Sequence, residues 1–124
     1  VAAHLKKKPY ELAERHICVG DVRGIGHFWG LELVKNRKTK EPFDTKAEKF
    51  STKALMTGRV AADAMQRGVY ISPWYDTLVI APPLIITEAQ VDEALAVLDQ
   101  SLIIADREAA DTGAPVSHST DYRR

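Results

Sequence analysis

Residues 19 to 34 read VGDVRGIGHFWGLELV and include four glycines, Gly20, Gly24, Gly26 and Gly30. Glycine runs of this kind do one of two jobs. They cradle a phosphate on bare backbone N–H groups at the start of a helix, or they bend the chain between two strands. The phosphate fingerprint needs G-x-G-x-x-G with a helix behind it. Gly24 and Gly26 supply its first pair, but the next glycine, Gly30, comes one place too late. Downstream, Trp29, Leu31 and Leu33 alternate with Phe28, Gly30, Glu32 and Val34. That is the two-residue period of a half-buried strand. The run therefore predicts a β-hairpin, with a strand near Val19 to Arg23, a turn at Gly24-Ile25-Gly26 and a second strand from His27. Gly24 or Gly26 would supply a positive φ, and Gly30 would mark a bulge or a close backbone approach.

The other reactive side chains form no recognisable catalytic pattern. Cys18 is the only cysteine. Without a histidine partner in the sequence pattern it reads as a small buried hydrophobe rather than a nucleophile. A single thiol cannot form an internal disulfide, which points to a reducing, cytoplasmic setting. His27 lacks the neighbouring ligands of a metal site, so no metal is expected. His4, His16 and His118 are scattered and are expected to be solvated. Asp21 and Glu32 do not form an obvious acid–base pair. Arg23 reads as a structural ion pair or a domain contact rather than a substrate-binding residue, since charged residues near interfaces usually position rather than react. Lys6-Lys7-Lys8 reads as a solvated helix face.

These residues need a scaffold, and the hydrophobic pattern supplies one. A helix over residues 1 to 16, broken near Pro9, is followed by the hairpin. Asn36 to Lys49 is charged, holds Pro42 and reads as a long exposed loop. A second helix starts near Ser51 or Thr52, with Leu55, Met56, Val60, Ala64 and Met65 at helical spacing and Gly68 as its C′ residue. Val69 to Ile71 reads as a short strand, Ser72 to Asp76 as a turn around Pro73, and Leu78 to Ala81 as a strand stopped by Pro82-Pro83. Thr87-Glu88-Ala89-Gln90 is a capping-box signature. Behind it, Val91, Ala94, Leu95, Leu98, Leu102 and Ala105 form one apolar stripe. Residues 1–110 are thus expected to form one domain and 111–124 a flexible, disordered tail. The fold class is α+β: a short antiparallel or mixed four-stranded sheet covered by helices, with an N-terminal helix.

Composition narrows the partners. The 124 residues carry 17 basic and 17 acidic side chains, a balance that offers no basic surface for nucleic acid. No apolar run approaches the ~20 residues needed to span a bilayer. There is no secretory signal pattern, and a chain that begins at Val1 rather than Met reads as a fragment or processed product.

Taken together, VGDVRGIGHFWGLELV, GVYIS and VIAPPLIITEAQVDEALAVL resemble the C-terminal part of class III aminotransferases, from about Tyr10 to Leu102. These are pyridoxal-phosphate enzymes akin to the ω-amino acid:pyruvate, 4-aminobutyrate and acetylornithine transaminases. The resemblance implies the small C-terminal domain of such an enzyme, homodimeric through a large domain that lies upstream. The Schiff-base lysine and the cofactor's aspartate partner belong to that large domain. On this view the chain has no catalytic residue, binds no cofactor alone and is inactive by itself, while the whole protein uses pyridoxal 5'-phosphate, an amine and a keto acid. Aminomutases and decarboxylases of the family use similar domains.

The resemblance also implies a place for substrate carboxylate recognition. One branch puts an arginine where this chain has Ser72, and another puts it at about Val79. Neither position is arginine here, which leaves carboxylate binding to another residue or to an unusual amino donor. Ser72, Trp74 and Tyr75 are the implied pocket candidates. Arg23, Gly24, Gly26, Gly30, Pro82 and Pro83 are the structural or domain-interface candidates. The alternative is an independent α+β binding module with no activity.

Overall fold

The computed structural model describes residues 2–83 and 85–118. Helix α1 (Ala2–Arg15) leads into the hairpin β1 (Val19–Ile25) and β2 (Phe28–Leu33). Then come α2 (Lys46–Lys49), α3 (Met56–Gln66), a second hairpin β3 (Ser72–Trp74) and β4 (Thr77–Ile80), α4 (Glu88–Ser101), α5 (Ile103–Asp106) and β5 (Ser117–His118). The sheet order is β3-β4-β2-β1-β5. β1 to β4 pair antiparallel, and β5 adds a fifth, parallel strand of two residues to the four expected.

Because side chains alternate along a strand, this register sorts the sheet into two faces. Val22, Trp29, Leu31, Leu33, Leu78 and Ile80 lie on one face and are buried. α1 packs against β1, α3 packs against β3 and β4, and α4 rests on α1 and α3. The opposite face carries Arg23, Phe28, Gly30, Glu32, Ser72, Trp74, Thr77 and Val79. Its large apolar side chains Phe28 and Trp74 are exposed.

Several elements depart from the sequence pattern for identifiable reasons. α1 is continuous through Pro9. Leu5, Pro9, Leu12, Ala13 and His16 form one buried stripe at helical spacing. Burial of that stripe offsets the backbone bond that Pro9 cannot donate. Asn36 to Lys49 is not all loop. Thr45 and Glu48 form a reciprocal capping box that starts α2. The spacing T-x-x-E was visible in the sequence.

α3 begins at Met56, later than expected, because Ser51 and Lys53 bond back to Glu48 instead of entering a helix. Buried Asp44 accepts from the Met56 backbone N–H at 3.0 Å, supplying the cap that Leu55 lacks. Met65 is exposed rather than part of the core. The strand expected at Val69 to Ile71 lies instead at Ser72–Trp74, and its turn is at Tyr75-Asp76, with Tyr75 at φ 52°.

α4 has the expected box: Gln90 N–H donates to Thr87 Oγ1 at 3.1 Å, and Thr87 N–H donates to Gln90 Oε1 at 3.0 Å. Thr87→Ala is expected to cost about 1 kcal/mol in urea unfolding. Of the tail, residues 119–124 lie outside the described residues. Within 111–118, Ala114 O accepts a bond from Arg37, and Ser117 and His118 pair with Asp21 and Val22.

Candidate functional site

The opening hairpin turns on Gly26 and His27, because β1 runs on to Ile25. Gly26 has φ 58°, a conformation that suits glycine. Gly24 plays a different part. It pairs with Trp29, and a Cβ there would lie 2.4 Å from the indole and 2.5 Å from Phe28 O. Trp29 is buried, and its Nε1–H donates to Gly26 O at 2.9 Å, so the ring ties the turn to the core. A Cβ at Gly26 would touch nothing, so this glycine serves the turn and not a close packing contact. The bulge lies between Val19 and Asp21, not at Gly30. At Gly30 a Cβ would come within 3.1 Å of Thr77 Cγ2.

The register sets Arg23, Gly30, Val79 and Ser72 in one transverse row on the open face. Ser72 and Val79 are thus direct cross-strand neighbours. The two positions where the family resemblance puts a carboxylate-binding arginine are one place in space. A pocket of about 370 Å³ lies over them, lined by Arg23, Phe28, Gly30, Ser72, Trp74, Thr77 and Val79. Trp74 meets Tyr75 edge to face at 5.2 Å, and Tyr75 packs on Phe50 at 5.8 Å. Tyr75 is exposed and borders this group without lining the pocket. Pro82 and Pro83 lie elsewhere, in an apolar pocket of about 360 Å³ reached by Leu5 and Leu95.

Arg23 is the charged side chain of the first pocket. Its Nη1 donates to Asp21 at 2.7 Å and more weakly to Glu32 at 3.4 Å, and Nη2 donates to Thr77 Oγ1 at 3.1 Å. Burial alone lowers the Arg23 pKa, but the two carboxylates outweigh it and raise the pKa above its ordinary value. Asp21 and Glu32 therefore orient a cation rather than act as an acid–base pair.

Two further clusters escaped the sequence reading. His16 is buried, not solvated. Its Nδ1 bonds Asp106, and its Nε2 bonds Asp99 at 2.6 Å. Both carboxylates lie more than 80 positions downstream, as the separations 83 and 90 show, so no local signal marks the cluster. Burial lowers the His16 pKa, but the bonds to Asp106 and Asp99 outweigh it and raise the pKa above 6.5. Stability from the imidazolium is then fully present below pH 6.5 and lost as pH rises through the raised value. Burial raises the Asp99 and Asp106 pKa values, but His16 together with Arg15 at Asp99, and His16 together with Cys18 at Asp106, outweigh it and lower them. Their contribution is therefore lost as pH falls through those values. Urea midpoints of the chain should fall from pH 6 toward alkaline pH, and His16→Gln should flatten that decline.

The other cluster centres on Arg37, which donates to four backbone carbonyls. Cys18 is buried, and burial pushes its thiol well above its ordinary range, which leaves no nucleophile there. His4 bonds Asp92 at 2.6 Å. Lys6 and Lys7 are exposed, whereas Lys8 pairs with Asp92 and Glu11. The side chain of His118 lies outside the described features. Among the described residues, no group of three His, Cys, Asp or Glu side chains could hold a metal ion. No helix of the described residues is long and apolar enough to cross a membrane.

A sheet with helices on one face and a polar, aromatic opposite face defines a two-layer α+β domain whose second face is open among the described residues. The sequence matches the family described as Aminotransferase class-III over residues 1–102, and the chain belongs to that family. Taurine–pyruvate aminotransferase of Rhodobacter capsulatus is 40% identical over 100 residues, covering 74% of this chain and 20% of that protein. Ethanolamine-phosphate phospho-lyase homolog 1 of Caenorhabditis elegans is 36% identical over 100 residues, covering 78% of this chain and 20% of the relative. Among solved structures, the PMP-bound form of an aminotransferase from Vibrio fluvialis superposes with a TM-score of 0.75 at 32% identity, covering 88% of this chain and 22% of that one. The chain thus spans about a fifth of the length of the curated relatives it matches.

The family implies pyridoxal 5'-phosphate, and this chain's own residues do not fit that group. A lysine that holds the aldehyde needs a desolvated amine of lowered pKa. No described lysine is buried, and Lys8 and Lys53 are shifted upward by their carboxylate partners. The glycine run opens no helix that could grip the phosphate.

Proposed function

We propose that the protein carrying this chain is a pyridoxal-phosphate transaminase that moves an amino group from an amine or ω-amino acid to a keto acid such as pyruvate. The chain forms its small C-terminal domain, residues 1–110, with 111–124 as an appended tail. The cofactor and its lysine reside in the rest of the polypeptide, and the chain alone is inactive. The open sheet face lines one side of the substrate site and closes over it, with Ser72, Trp74 and Tyr75 at the substrate. Gly24, Gly26 and Gly30 keep the face in shape, and Pro82 and Pro83 face the large domain. The whole protein works as a cytoplasmic homodimer.

The observation that carries this reading is the pairing of Ser72 with Val79 beneath one pocket on an uncovered face, in a chain of this family. The test is expression of the full-length protein with a panel of amines and pyruvate, following alanine formation. Alanine from at least one amine supports the reading, and none from any overturns it. Turnover by the 124-residue chain alone would contradict its proposed silence. The Caenorhabditis relative favours a second reading, elimination of phosphate. Phosphate released from ethanolamine phosphate without any keto acid would select it.

A further inference from the structure

We propose that Arg23, the arginine that shares one row and one pocket with Ser72 and Val79, recognises the substrate carboxylate. This specificity role rests on the transaminase reading above. Arg23 starts on β1, two strands away from Val79, yet it reaches the same pocket. Gly30 permits the reach. It stands between them in the row, and a Cβ built there would lie 3.9 Å from Arg23 Cγ. A longer side chain at Gly30 would occupy the path.

The donors fit the role. A guanidinium has five N–H groups in a planar fork. Asp21 and Glu32 take the two on Nη1, and Thr77 takes one on Nη2. Nε–H and the second Nη2 hydrogen bond no described residue. Thr77 itself lines the pocket, so the Nη2 edge lies at its wall. Ser72 offers a hydroxyl in the same pocket, and Phe28 and Trp74 give apolar walls for a short carbon chain.

The charge balance gives the proposal a distinctive sign. Asp21 is buried and pins one nitrogen. Glu32 sits at 3.4 Å, half-exposed, and repels an incoming anion. Removing that charge should strengthen carboxylate binding, which a purely structural Arg23–Glu32 pair would not do.

The experiment uses the full-length protein. Half-reactions are followed with β-alanine, which has a carboxylate, and with isopropylamine, which has none. Arg23→Gln should raise KM for β-alanine and pyruvate about 30-fold, the loss of one charged bond pair. kcat/KM for isopropylamine should stay within about threefold, below the loss of one such bond. Ser72→Arg in the Arg23→Gln background should restore most of the loss, and Glu32→Gln should lower KM for β-alanine. Equal losses on both amines, or no loss on β-alanine, would overturn the proposal. If Arg23→Gln does not fold, Arg23→Lys keeps a cation for Asp21, and the same comparison is read on it. Propionate binding, read as quenching of tryptophan fluorescence, separates the two levels. If the wild type transaminates nothing, the proposed function fails, while quenching that disappears in Arg23→Gln still supports an anion site at Arg23. No quenching in the wild type overturns it.

Discussion

Arg37→Met is expected to remove about 4 kcal/mol of folding free energy, measured by urea unfolding of the chain. Arg37 Nε donates to Val19 O at 2.9 Å, and Nη1 donates to Ala114 O at 3.2 Å. Nη2 donates to Ala13 O at 2.8 Å and to His16 O at 2.7 Å. One side chain thereby joins the C-terminal end of α1, the start of β1 and the segment leading to β5. Ala13 O belongs to the last turn of α1, where carbonyls lack intrahelical partners, and His16 O lies just beyond it, where a cation is favourable. Methionine keeps the stem and supplies no donor, so four carbonyls lose a charged donor, while His16 O keeps a backbone bond from Val19 N–H at 3.1 Å. Bonds from a charged donor contribute about 1.5–3 kcal/mol each, and four on one group are not additive. Arg37→Lys should lose about half as much, since one ammonium cannot span carbonyls from three segments.

Gly24→Ala is expected to cost about 3 kcal/mol, although it adds a single methyl group. That methyl would overlap the Trp29 ring at 2.4 Å and the backbone oxygen of Phe28 at 2.5 Å. Neither neighbour is a flexible end. Trp29 is buried, bonded to Gly26 O, and in edge contact with Tyr10 at 5.8 Å. The ring must leave its place or the strands must part. Gly26→Ala should cost less, about 1–2 kcal/mol, because it meets only the strain of φ 58° with open space around it. Gly30→Ala should be milder again, since its nearest neighbour is the Thr77 methyl at 3.1 Å. The measured order of these three variants checks the packing directly. The consequence reaches the site, because Gly24 adjoins Arg23 and shares its strand register with Trp29.

Much of this molecule is local and was readable along the chain. The alternation from Phe28 to Val34, the Thr87 box and the stripe behind it depend on contacts a few residues apart, so composition and spacing carry them. The motif order that marks the family is also linear, and it led to Ser72 and Val79 as a missing carboxylate anchor. Their adjacency is not linear. It follows from the antiparallel register of β3 on β4, and Arg23 joins them through β2. Burial overrode propensity at Pro9, and Asp44 moved the start of α3 from twelve residues upstream. His16 and Arg37 met carboxylates and carbonyls from distant segments. Periodicity states which side of an element is apolar. Which elements share that side, and what the other side collects, comes from packing around one core.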